Sequence, residues 1–322
     1  MSSKTIDSDQ SIAIGVSACL IGAKVRFDGG HKRNHYISEL LSEQFKLISF
    51  CPEVAIGMST PREPIRLVNN DGEIRVTGTR DNSLDVTEEL TEYGNHIGSS
   101  LSHLCGFVFK KDSPSCGMAR VKVYGKDGIP QKNGVGLFAH EVMRLNPLLP
   151  VEEEGRLNDP KLRENFINRV YVFARWKKLL ANGLTKKGLL DFHTRHKYLL
   201  LSHHQTMYRQ LGRRLAKLNI VDINKLGDSY IATIMEVLKQ PSSRRKHVNV
   251  LQHLMGFLRD RVSSDDRAEI SDMIRAYGRG EYPLVVPITL LNHHFRKCRH
   301  PFTDQQVYLN PHPRELMLRN SI

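Results

Sequence analysis

The sequence predicts an α/β N-terminal domain, built as a parallel sheet with crossover helices, and an all-α C-terminal domain. In the first half, short apolar segments alternate with helical stretches, the order that produces a parallel sheet. In the second half, apolar residues recur with the 3.6-residue period of a helix. Pro147, Pro150 and Pro160 interrupt regular structure between the two patterns. We therefore predict two domains, residues 1–150 and 151–322.

The N-terminal elements follow from the apolar runs and the turn residues between them. Asp71-Gly72, flanked by β-branched residues, is typical of the turn in a β-hairpin. The predicted elements are strands over residues 11–17, 46–50 and 105–110, helices over residues 35–44, 85–103 and 139–144, and a hairpin over residues 63–81. Strand, helix, strand, helix, strand in this order indicates that the three strands are parallel.

The C-terminal elements are all helical. Phe166, Val170, Phe173, Trp176 and Leu180 fall near one face of a helix, which predicts helix 161–181. A Ser at position 263 and a Gly at 278 or 280 are typical of a helix start and stop. The further predicted helices span residues 186–217, 222–239, 243–261 and 264–278, before a proline-rich tail over residues 301–313.

Charge is distributed unequally between the two halves. The chain has a formal net charge of +13, and residues 151–322 carry 30 Lys and Arg against 17 Asp and Glu, whereas residues 1–150 carry 17 of each. A basic domain beside a neutral one indicates a polyanion-binding module attached to a domain with another role. The alternative is a solvated basic domain whose charge only maintains solubility.

The sequence predicts a cytoplasmic protein. No apolar run approaches the 18 residues that a membrane span needs. Val16-Ser-Ala-Cys19 resembles a lipoprotein cleavage site, but the preceding residues lack the basic start and long apolar run of a signal peptide. Five widely spaced cysteines do not form a disulfide framework. We expect no membrane association and infer no obligatory protein partner.

Three of the cysteines share one position relative to the predicted strands. Cys19, Cys51 and Cys116 each lie in the loop after a strand, whereas Cys105 lies inside a strand and Cys298 lies between basic residues. Loops at the carboxyl ends of parallel strands converge on the ligand crevice. The sequence therefore predicts three thiols at one place, and the alternative is three unrelated small loop residues.

Two kinds of metal centre use cysteine thiolates in this way. Structural zinc prefers four protein ligands and usually involves a Cys-x2-Cys pair, which this chain lacks. A 4Fe-4S cluster in which one iron is not held by protein fits three cysteines better. Spacing alone leaves both possibilities open.

The motifs around these cysteines resemble those of the thiouracil desulfidase (TudS) family. They are Val16-Ser-Ala-Cys-Leu-Ile-Gly22, Val25-Arg-Phe-Asp-Gly-Gly30, Cys51-Pro-Glu53, Thr60-Pro-Arg62 and Ser113-Pro-Ser-Cys-Gly117. The basic helical domain, with Phe192-His193 and His196-Lys197, is similar to the partner domain of two-domain tRNA 4-thiouridine desulfidases of the RudS type. The resemblance covers about residues 11–315, and its N-terminal motifs are the more specific.

This resemblance implies a cofactor, a substrate and a reaction. It implies a 4Fe-4S cluster on Cys19, Cys51 and Cys116, with one iron not ligated by protein, and the conversion of 4-thiouridine in tRNA to uridine. The open iron is a Lewis acid that can bind the thiocarbonyl sulfur, after which water must attack C4. Glu53, two residues from a predicted ligand, is the best-placed acid/base group.

Other residues of these motifs are candidates for the same site. We expect Ser113 to act with Glu53 in catalysis by donating a hydrogen bond or relaying a proton, although a serine in such a loop can equally act as a cap. The expected substrate-binding residues are Asp28, Arg62, Lys110 and Ser115. Asp28 also fits an ordinary Asp-Gly turn, and the two cations could simply solvate the rim.

Basic residues of the helical domain are predicted to contact RNA phosphates, leaving shape to select the RNA. Trp176, Tyr198 and Tyr208 lie among them and could stack on bases, although Trp176 and Tyr198 also fit a core. The predicted RNA-binding residues are Arg175, Lys177, Lys178, Arg195, Lys197, Arg213, Arg214, Arg244, Arg245 and Lys246.

Two alternative functions fit parts of the same pattern. One is a desulfidase that acts on free thiouracil or another small thiolated compound. The other is a nucleic-acid-binding redox sensor whose cluster only switches binding. Glu53 and the nearby serines favour an enzyme, and the charge asymmetry favours RNA over a free base.

Overall fold

The computed structural model describes residues 12–216 and 222–322. Residues 11 and 217, the outer ends of one predicted strand and one predicted helix, lie outside this part of the chain. The chain divides into two compact units, Met1–Asn158 and Asp159–Ile322. This division falls after the predicted boundary at residue 150, because residues 151–153 pair as a strand with the first unit.

From residue 12 onward, where the structure describes it, the first unit contains two four-stranded sheets. Its strands are β1 (Ala13–Ser17), β2 (Lys46–Phe50), β3 (Ile65–Asn70), β4 (Glu73–Gly78), β5 (Leu104–Phe109), β6 (Val121–Tyr124), β7 (Pro130–Gly134) and β8 (Val151–Glu153). The first sheet has the order β2-β1-β5-β8, and every pair in it is parallel. This sheet confirms the predicted α/β class.

The second sheet has the order β4-β3-β6-β7 and mixes antiparallel with parallel pairing. The hairpin β3–β4 is predicted correctly, with Asp71 at φ 54° and Gly72 at φ 99° in its turn. Strands β6 and β7 are not predicted. Strand β7 is almost wholly exposed and carries no apolar alternation.

Helices connect the strands of the first unit. They are α1 (Ser42–Gln44), preceded by a π-helical turn (Tyr36–Leu41), α2 (Pro52–Ala55), α3 (Thr87–Ser100) and α4 (Leu137–Leu145). Helices α3 and α4 approach closely because α3 carries glycines where they meet. A Cβ at Gly94 would lie 2.9 Å from the Glu141 Cβ, and one at Gly98 would lie 2.8 Å from a Leu145 methyl group.

The second unit is helical over its described residues, as predicted. Its helices are α5 (Pro160–Ala181), α6 (Lys186–His203), α7 (Gln205–Leu215), α8 (Ile223–Leu238), α9 (Arg244–Met255), α10 (Ser264–Arg279), α11 (Val285–Lys297) and α12 (Pro301–Asp304). Side chains of Asp159, Thr185, Asp222 and Ser263 cap the helices that they precede. Gly280, at φ 91°, ends α10 in the left-handed conformation.

Two departures from the predicted helices have local causes. The predicted helix 186–217 breaks at His204, which is extended and accepts a hydrogen bond from the Met207 N–H as the cap of α7. Helix α11 is not predicted, because Pro283 and Pro287 surround its start. Pro287 nevertheless fits there, because the first turn of a helix does not use its N–H groups.

The proline-rich tail is packed rather than exposed. Val307, Tyr308 and Leu309 are buried. Arg319 donates to the Glu164 carboxylate at 2.9 Å and to the Tyr308 carbonyl, and all three residues lie in the interior of the unit. Across the described residues, the structure contains no helix with the length and apolarity of a membrane span.

The core of the first sheet depends on a glycine in β1. Ile14 and Val16 of β1 and Phe107 and Phe109 of β5 are completely buried. Gly15 lies between these apolar neighbours, and a Cβ there would be 2.4 Å from a ring carbon of Phe107. The Phe107 ring packs in turn on Phe50, with centroids 5.4 Å apart. A side chain at position 15 would therefore force strands or rings apart.

We expect Gly15→Ala to lower the free energy of unfolding of the first unit by about 1–3 kcal/mol, the usual cost of overpacking a core. Denaturant titration followed by circular dichroism measures this change. Gly155→Ala is the matched control, since its Cβ would contact only the flexible Lys111 side chain at 3.3 Å. Equal stabilities of the two variants would contradict the role given to Gly15.

Candidate functional site

The three loop cysteines lie at one edge of the parallel sheet. Cys51 follows β2, Cys19 follows β1 and Cys116 lies in the loop after β5, and these strands are neighbours in the order β2-β1-β5. The chain passes from β1 to β2 on one side and from β5 to β8 on the other, so the topological switch point lies between β1 and β5. Ligands of open α/β sheets bind at such a point, beyond the carboxyl ends of the strands.

Each cysteine is fixed by local backbone structure. Cys19 lies in a turn of 3-10 helix (Ala18–Ile21) that ends at Gly22, in the left-handed conformation at φ 99°. Cys51 is the N-cap residue of α2, which has Pro52 in its first turn. The Cys116 N–H donates to the Ser113 hydroxyl at 3.0 Å. All three side chains are thus held by short, constrained loops.

The loop of Cys116 is joined to the start of α4. The Leu137 and Ala139 N–H groups donate to the carbonyls of Pro114 and Ser115, at 3.1 and 3.0 Å. Gly136 makes this contact possible, since a Cβ there would lie 2.5 Å from the Ser115 carbonyl carbon and 2.8 Å from the Cys116 nitrogen. The position of Cys116 therefore depends on a glycine 20 residues further along the chain.

The thiols are close enough to affect one another's ionisation. Burial raises the pKa of Cys19 and of Cys51 to about 11. Burial also raises the pKa of Cys116 well above its usual value, and the nearby Cys19 and Cys51 raise it further. The Glu53 carboxylate raises all three pKa values. The site thus groups three thiols and one carboxyl group.

Glu53 lies directly beside Cys51. The Cys51 thiol donates to the Glu53 carboxylate at 3.5 Å. On the other side, the Arg62 Nη2 is 4.0 Å from the Glu53 Oε2, and both side chains are largely buried. Glu53 is therefore an acid/base group held between a predicted ligand and a guanidinium.

Arg62 fixes the segment that faces Cys51. Its Nη1 donates to the Val25 carbonyl at 2.9 Å, its backbone N–H donates to the Phe27 carbonyl at 2.9 Å, and Thr60-Pro61 before it is a cis peptide. Arg62 is predicted to bind substrate, but in the structure its guanidinium is engaged by the protein. Arg62 thus positions Glu53 and the loop at Val25, and its contact with substrate stays a prediction.

The two other polar candidates at the rim also have internal partners. Lys110 forms an ion pair with Glu154 and donates to the Lys111 carbonyl at 2.9 Å, and its charge lowers the pKa of Cys19. The half-exposed Asp28 accepts from the Gly30 N–H at 3.0 Å, which lowers its pKa. Asp28 thus forms an ordinary Asp-Gly turn, and Lys110 places positive charge near Cys19.

The serines of the site have different surroundings. The Ser113 hydroxyl accepts from the N–H groups of Ser115 and Cys116, so that it shapes the loop that carries Cys116. The Ser115 side chain is completely buried, and its hydroxyl has no hydrogen-bond partner among the described residues. Ser17, which sequence reasoning missed, accepts from the Lys110 N–H at 2.9 Å and donates to the Cys116 thiol, lowering the pKa of that thiol.

Tyr93 on α3 is a second residue that sequence reasoning missed. Its ring stacks on Phe138 with centroids 5.6 Å apart. Burial raises its pKa, and the nearby Cys51 and Cys116 raise it further. No motif surrounds Tyr93 in the sequence, because a helix far along the chain brings it to the site.

The donor set fits a cluster better than a single ion. Among the described residues, no group of three or more His, Cys, Asp or Glu side chains is arranged to hold one metal ion. The ligands of a single zinc ion share one coordination shell, whereas each thiolate of an iron–sulfur cluster binds a different iron. Three neighbouring thiols in separate loops, with the unpartnered Ser115 hydroxyl beside one of them, suit the second arrangement.

The predicted RNA-binding residues fall into two groups. Several have internal partners: Arg175 donates to Pro311, Arg214 to Ser229 and Thr233, Arg244 to Tyr277 and Lys246 to His203, while Lys177 and Lys197 lie over aromatic rings. Lys178, Arg213 and Arg245 are exposed, and Arg195 is half-exposed. Trp176 and Tyr198 are core residues, and Tyr208 is half-exposed.

Comparison with known proteins assigns a family to both units. Residues 14–154 match the model of the 2-thiouracil desulfurase family, and residues 197–313 match DUF1722, a family of unknown function. The protein YbgA of Escherichia coli K12, described as uncharacterized, is 30% identical over 166 residues, which are 51% of this chain and 98% of YbgA. The chain belongs to the 2-thiouracil desulfurase family, with a DUF1722 region after it.

Two further relatives each match part of the chain. YbbK of Bacillus subtilis 168, also described as uncharacterized, is 35% identical over 113 residues, which are 32% of this chain and 71% of YbbK. A solved structure described as a [4Fe-4S]-dependent thiouracil desulfidase, TudS, is 31% identical. The match covers 46% of this chain and 94% of that one, with a TM-score of 0.37.

We expect Gly136→Ala to reduce iron binding although it removes no ligand. The added Cβ would displace the backbone of Ser115 and Cys116, and a thiol moved by about 1 Å no longer meets its metal. Iron and sulfide analysis after anaerobic reconstitution measures the loss. Circular dichroism controls for folding, and full iron content in a folded variant would contradict the dependence of Cys116 on Gly136.

Proposed function

We propose that this protein is an iron–sulfur desulfidase that converts 4-thiouridine in tRNA to uridine in the cytoplasm, with release of hydrosulfide. The observation that carries the proposal is the convergence of Cys19, Cys51 and Cys116 around Glu53 at the switch point of the parallel sheet. The match of residues 14–154 to the 2-thiouracil desulfurase family supports the same reaction class.

The three cysteines would hold a 4Fe-4S cluster with one iron left without a protein ligand. When bound, such a cluster supplies a Lewis acid that takes up the sulfur of a thiocarbonyl and polarises its C–S bond. The thiols must lose their protons to bind iron, and their burial opposes that loss in the absence of metal. Lys110 lowers the pKa of Cys19, and Ser17 lowers that of Cys116, which favours the thiolates.

Glu53 is the group that would move the proton. Replacing sulfur by oxygen at C4 consumes one water and releases hydrosulfide, so a base must accept a proton as water attacks. The Glu53 carboxylate lies beside the Cys51 thiol, and Arg62 holds it from the other side. Ser113 shapes the ligand loop, and the buried Ser115 hydroxyl has a hydrogen bond to offer to a bound substrate.

The helical domain would hold the tRNA. Its excess of Lys and Arg, 30 against 17 Asp and Glu over residues 151–322, supplies attraction to phosphates. The target nucleotide must leave its base stack to enter the crevice, which costs a few kcal/mol. Phosphate contacts elsewhere would offset that cost on tRNA but contribute nothing to a free base.

An anaerobic assay tests the proposed substrate. Reconstituted protein is given tRNA that contains 4-thiouridine, the free nucleoside or free 2-thiouracil, and the loss of thiocarbonyl absorbance is followed beside hydrosulfide release. We expect the highest kcat/KM on tRNA. A higher value on the free base would identify a small-molecule desulfidase, and no turnover of any substrate would favour a redox sensor.

We expect replacement of Cys19, Cys51 or Cys116 by Ala to abolish cluster binding, because each removal leaves an iron without its ligand. Cys105→Ala and Cys298→Ala should retain it, since Cys105 is buried in β5 and the Cys298 thiol is engaged by the Arg261 carbonyl. Iron and sulfide contents of the five variants decide the ligand set. Loss of iron from the Cys105 variant together with retention in a Cys19 variant would refute it.

We expect Glu53→Gln to keep the cluster and to lower kcat by about 10²- to 10⁴-fold, the usual contribution of a general acid or base. The amide retains the shape of the carboxylate but cannot take up the proton. Visible absorbance of the cluster and single-turnover kinetics measure the two effects separately. A rate near that of the wild type would exclude Glu53 from the chemistry.

A further inference from the structure

An open groove lies in the helical unit among α6, α7 and α12, with a volume of about 500 Å³. Its lining includes Lys197 of α6, Tyr208, Arg209, Gly212 and Arg213 of α7, and Phe302 of α12. We call this cavity the α6–α7 groove. It is remote in sequence from the cysteine motifs and belongs wholly to the second unit.

Helix α7 presents its polar face to the groove. Leu211 and Leu215 are buried on one side of the helix, whereas Arg209 and Arg213, one turn apart, are exposed on the other. Arg214 binds Ser229 and Thr233 of α8, whereas Arg209 and Arg213 are exposed. No acidic residue lines the described part of the groove, so its charge favours an anion.

Aromatic rings form the wall beside these cations. Tyr208 lies parallel to His193, with an interplanar angle of 3°. The Lys197 ammonium lies 5.9 Å from the Tyr208 ring centre and 5.6 Å from that of Phe302. Burial lowers the pKa of His193 to about 4, so at neutral pH this histidine adds a neutral ring to the wall. Flat rings beside cations are the combination that binds an unpaired base and its phosphates.

We propose that the α6–α7 groove binds an unpaired nucleotide of RNA, stacking its base on Tyr208 and holding its phosphates with Lys197, Arg209 and Arg213. The volume suits one nucleotide, since small-molecule pockets span about 300–1,000 Å³. A duplex hides the faces of its bases and offers only phosphates, so the aromatic wall would be of no use to it.

A substitution at Gly212 can test directly whether the groove must be empty to bind its ligand. A Cβ at this position would meet nothing within 4 Å, so a side chain there enters empty space rather than the protein. Leucine is also a better helix former than glycine. Gly212→Leu should therefore fill the groove while α7 remains intact.

The proposal deepens the proposed function, because it rests on RNA being the substrate. The first measurement is equilibrium binding by the full-length protein of a fluorescein-labelled single-stranded RNA octamer and of a blunt RNA duplex of the same composition. We expect Tyr208→Ala to weaken single-strand binding by about 5- to 100-fold. Gly212→Leu should weaken it at least as much, with little effect on the duplex.

Charge is tested on the same RNA by salt titration. In the double variant Arg209→Gln/Arg213→Gln, the slope of log affinity against log salt concentration should become shallower by about 1.4. Each phosphate contact to a single strand contributes about 0.7 to this slope. Arg275→Gln with Arg279→Gln on α10 is the matched control, with two exposed arginines at the same spacing. Ala268→Leu, at an exposed position of α10, is the steric control.

The outcomes separate this proposal from the proposed function. Wild-type affinity in Tyr208→Ala and Gly212→Leu, or equal losses on single strand and duplex, would overturn the groove as a site for an unpaired nucleotide. If Gly212→Leu converts thiolated tRNA with unchanged KM, the result supports the desulfidase function and refutes the groove as an RNA-binding site. If the groove variants lose single-strand binding but the wild-type protein converts no thiolated tRNA, the result supports the groove as an RNA-binding site and refutes the proposed function.

Discussion

The parallel pairing of β1 with both β2 and β5 is the constraint on which the site depends. Parallel strands end at the same edge of a sheet, so three loops that are far apart in sequence deliver Cys19, Cys51 and Cys116 to one place. The pairing in turn requires Gly15, whose missing side chain makes room for Phe107. The relative positions of Cys19 and Cys116 therefore depend on packing in the middle of the sheet, because a shift of β1 against β5 would move one cysteine relative to the other.

Electrostatics sets the protonation of the three thiols. Burial raises the pKa of each thiol, and Glu53 raises it further, so the metal-free site keeps its thiols protonated. The neighbouring cations and the Ser17 hydroxyl act in the opposite direction. An iron cluster held by these thiols would reverse this balance, because coordination would replace each proton by a stronger partner. The carboxylate of Glu53 is tolerated beside the thiols because Arg62 faces it.

Local pattern predicted the elements that build the site, but it could not predict the contacts made across the fold. The three strands and the cysteine loops follow from apolar runs and their ends, which the sequence displays directly. Tyr93 and Gly136 were not recognised, since each reaches the site through the packing of a helix encoded elsewhere. The roles of Arg62 and Lys110 illustrate the same limit. A cation in a motif can bind substrate or hold a loop, and only the positions of Val25, Glu53 and Glu154 distinguish these roles.

The helical unit shows why a count of charges does not locate a binding surface. Arg175, Arg244 and Lys246 belong to basic clusters in the sequence, yet each donates to a backbone carbonyl of its own unit. Each contact ties a cationic side chain to its own unit, so these cations contribute to the fold. Arg209 and Arg213 differ, because they stand on the outer face of an amphipathic helix beside Tyr208. Net charge attracts RNA from a distance, whereas the position of a few cations beside a flat ring determines what the surface can hold.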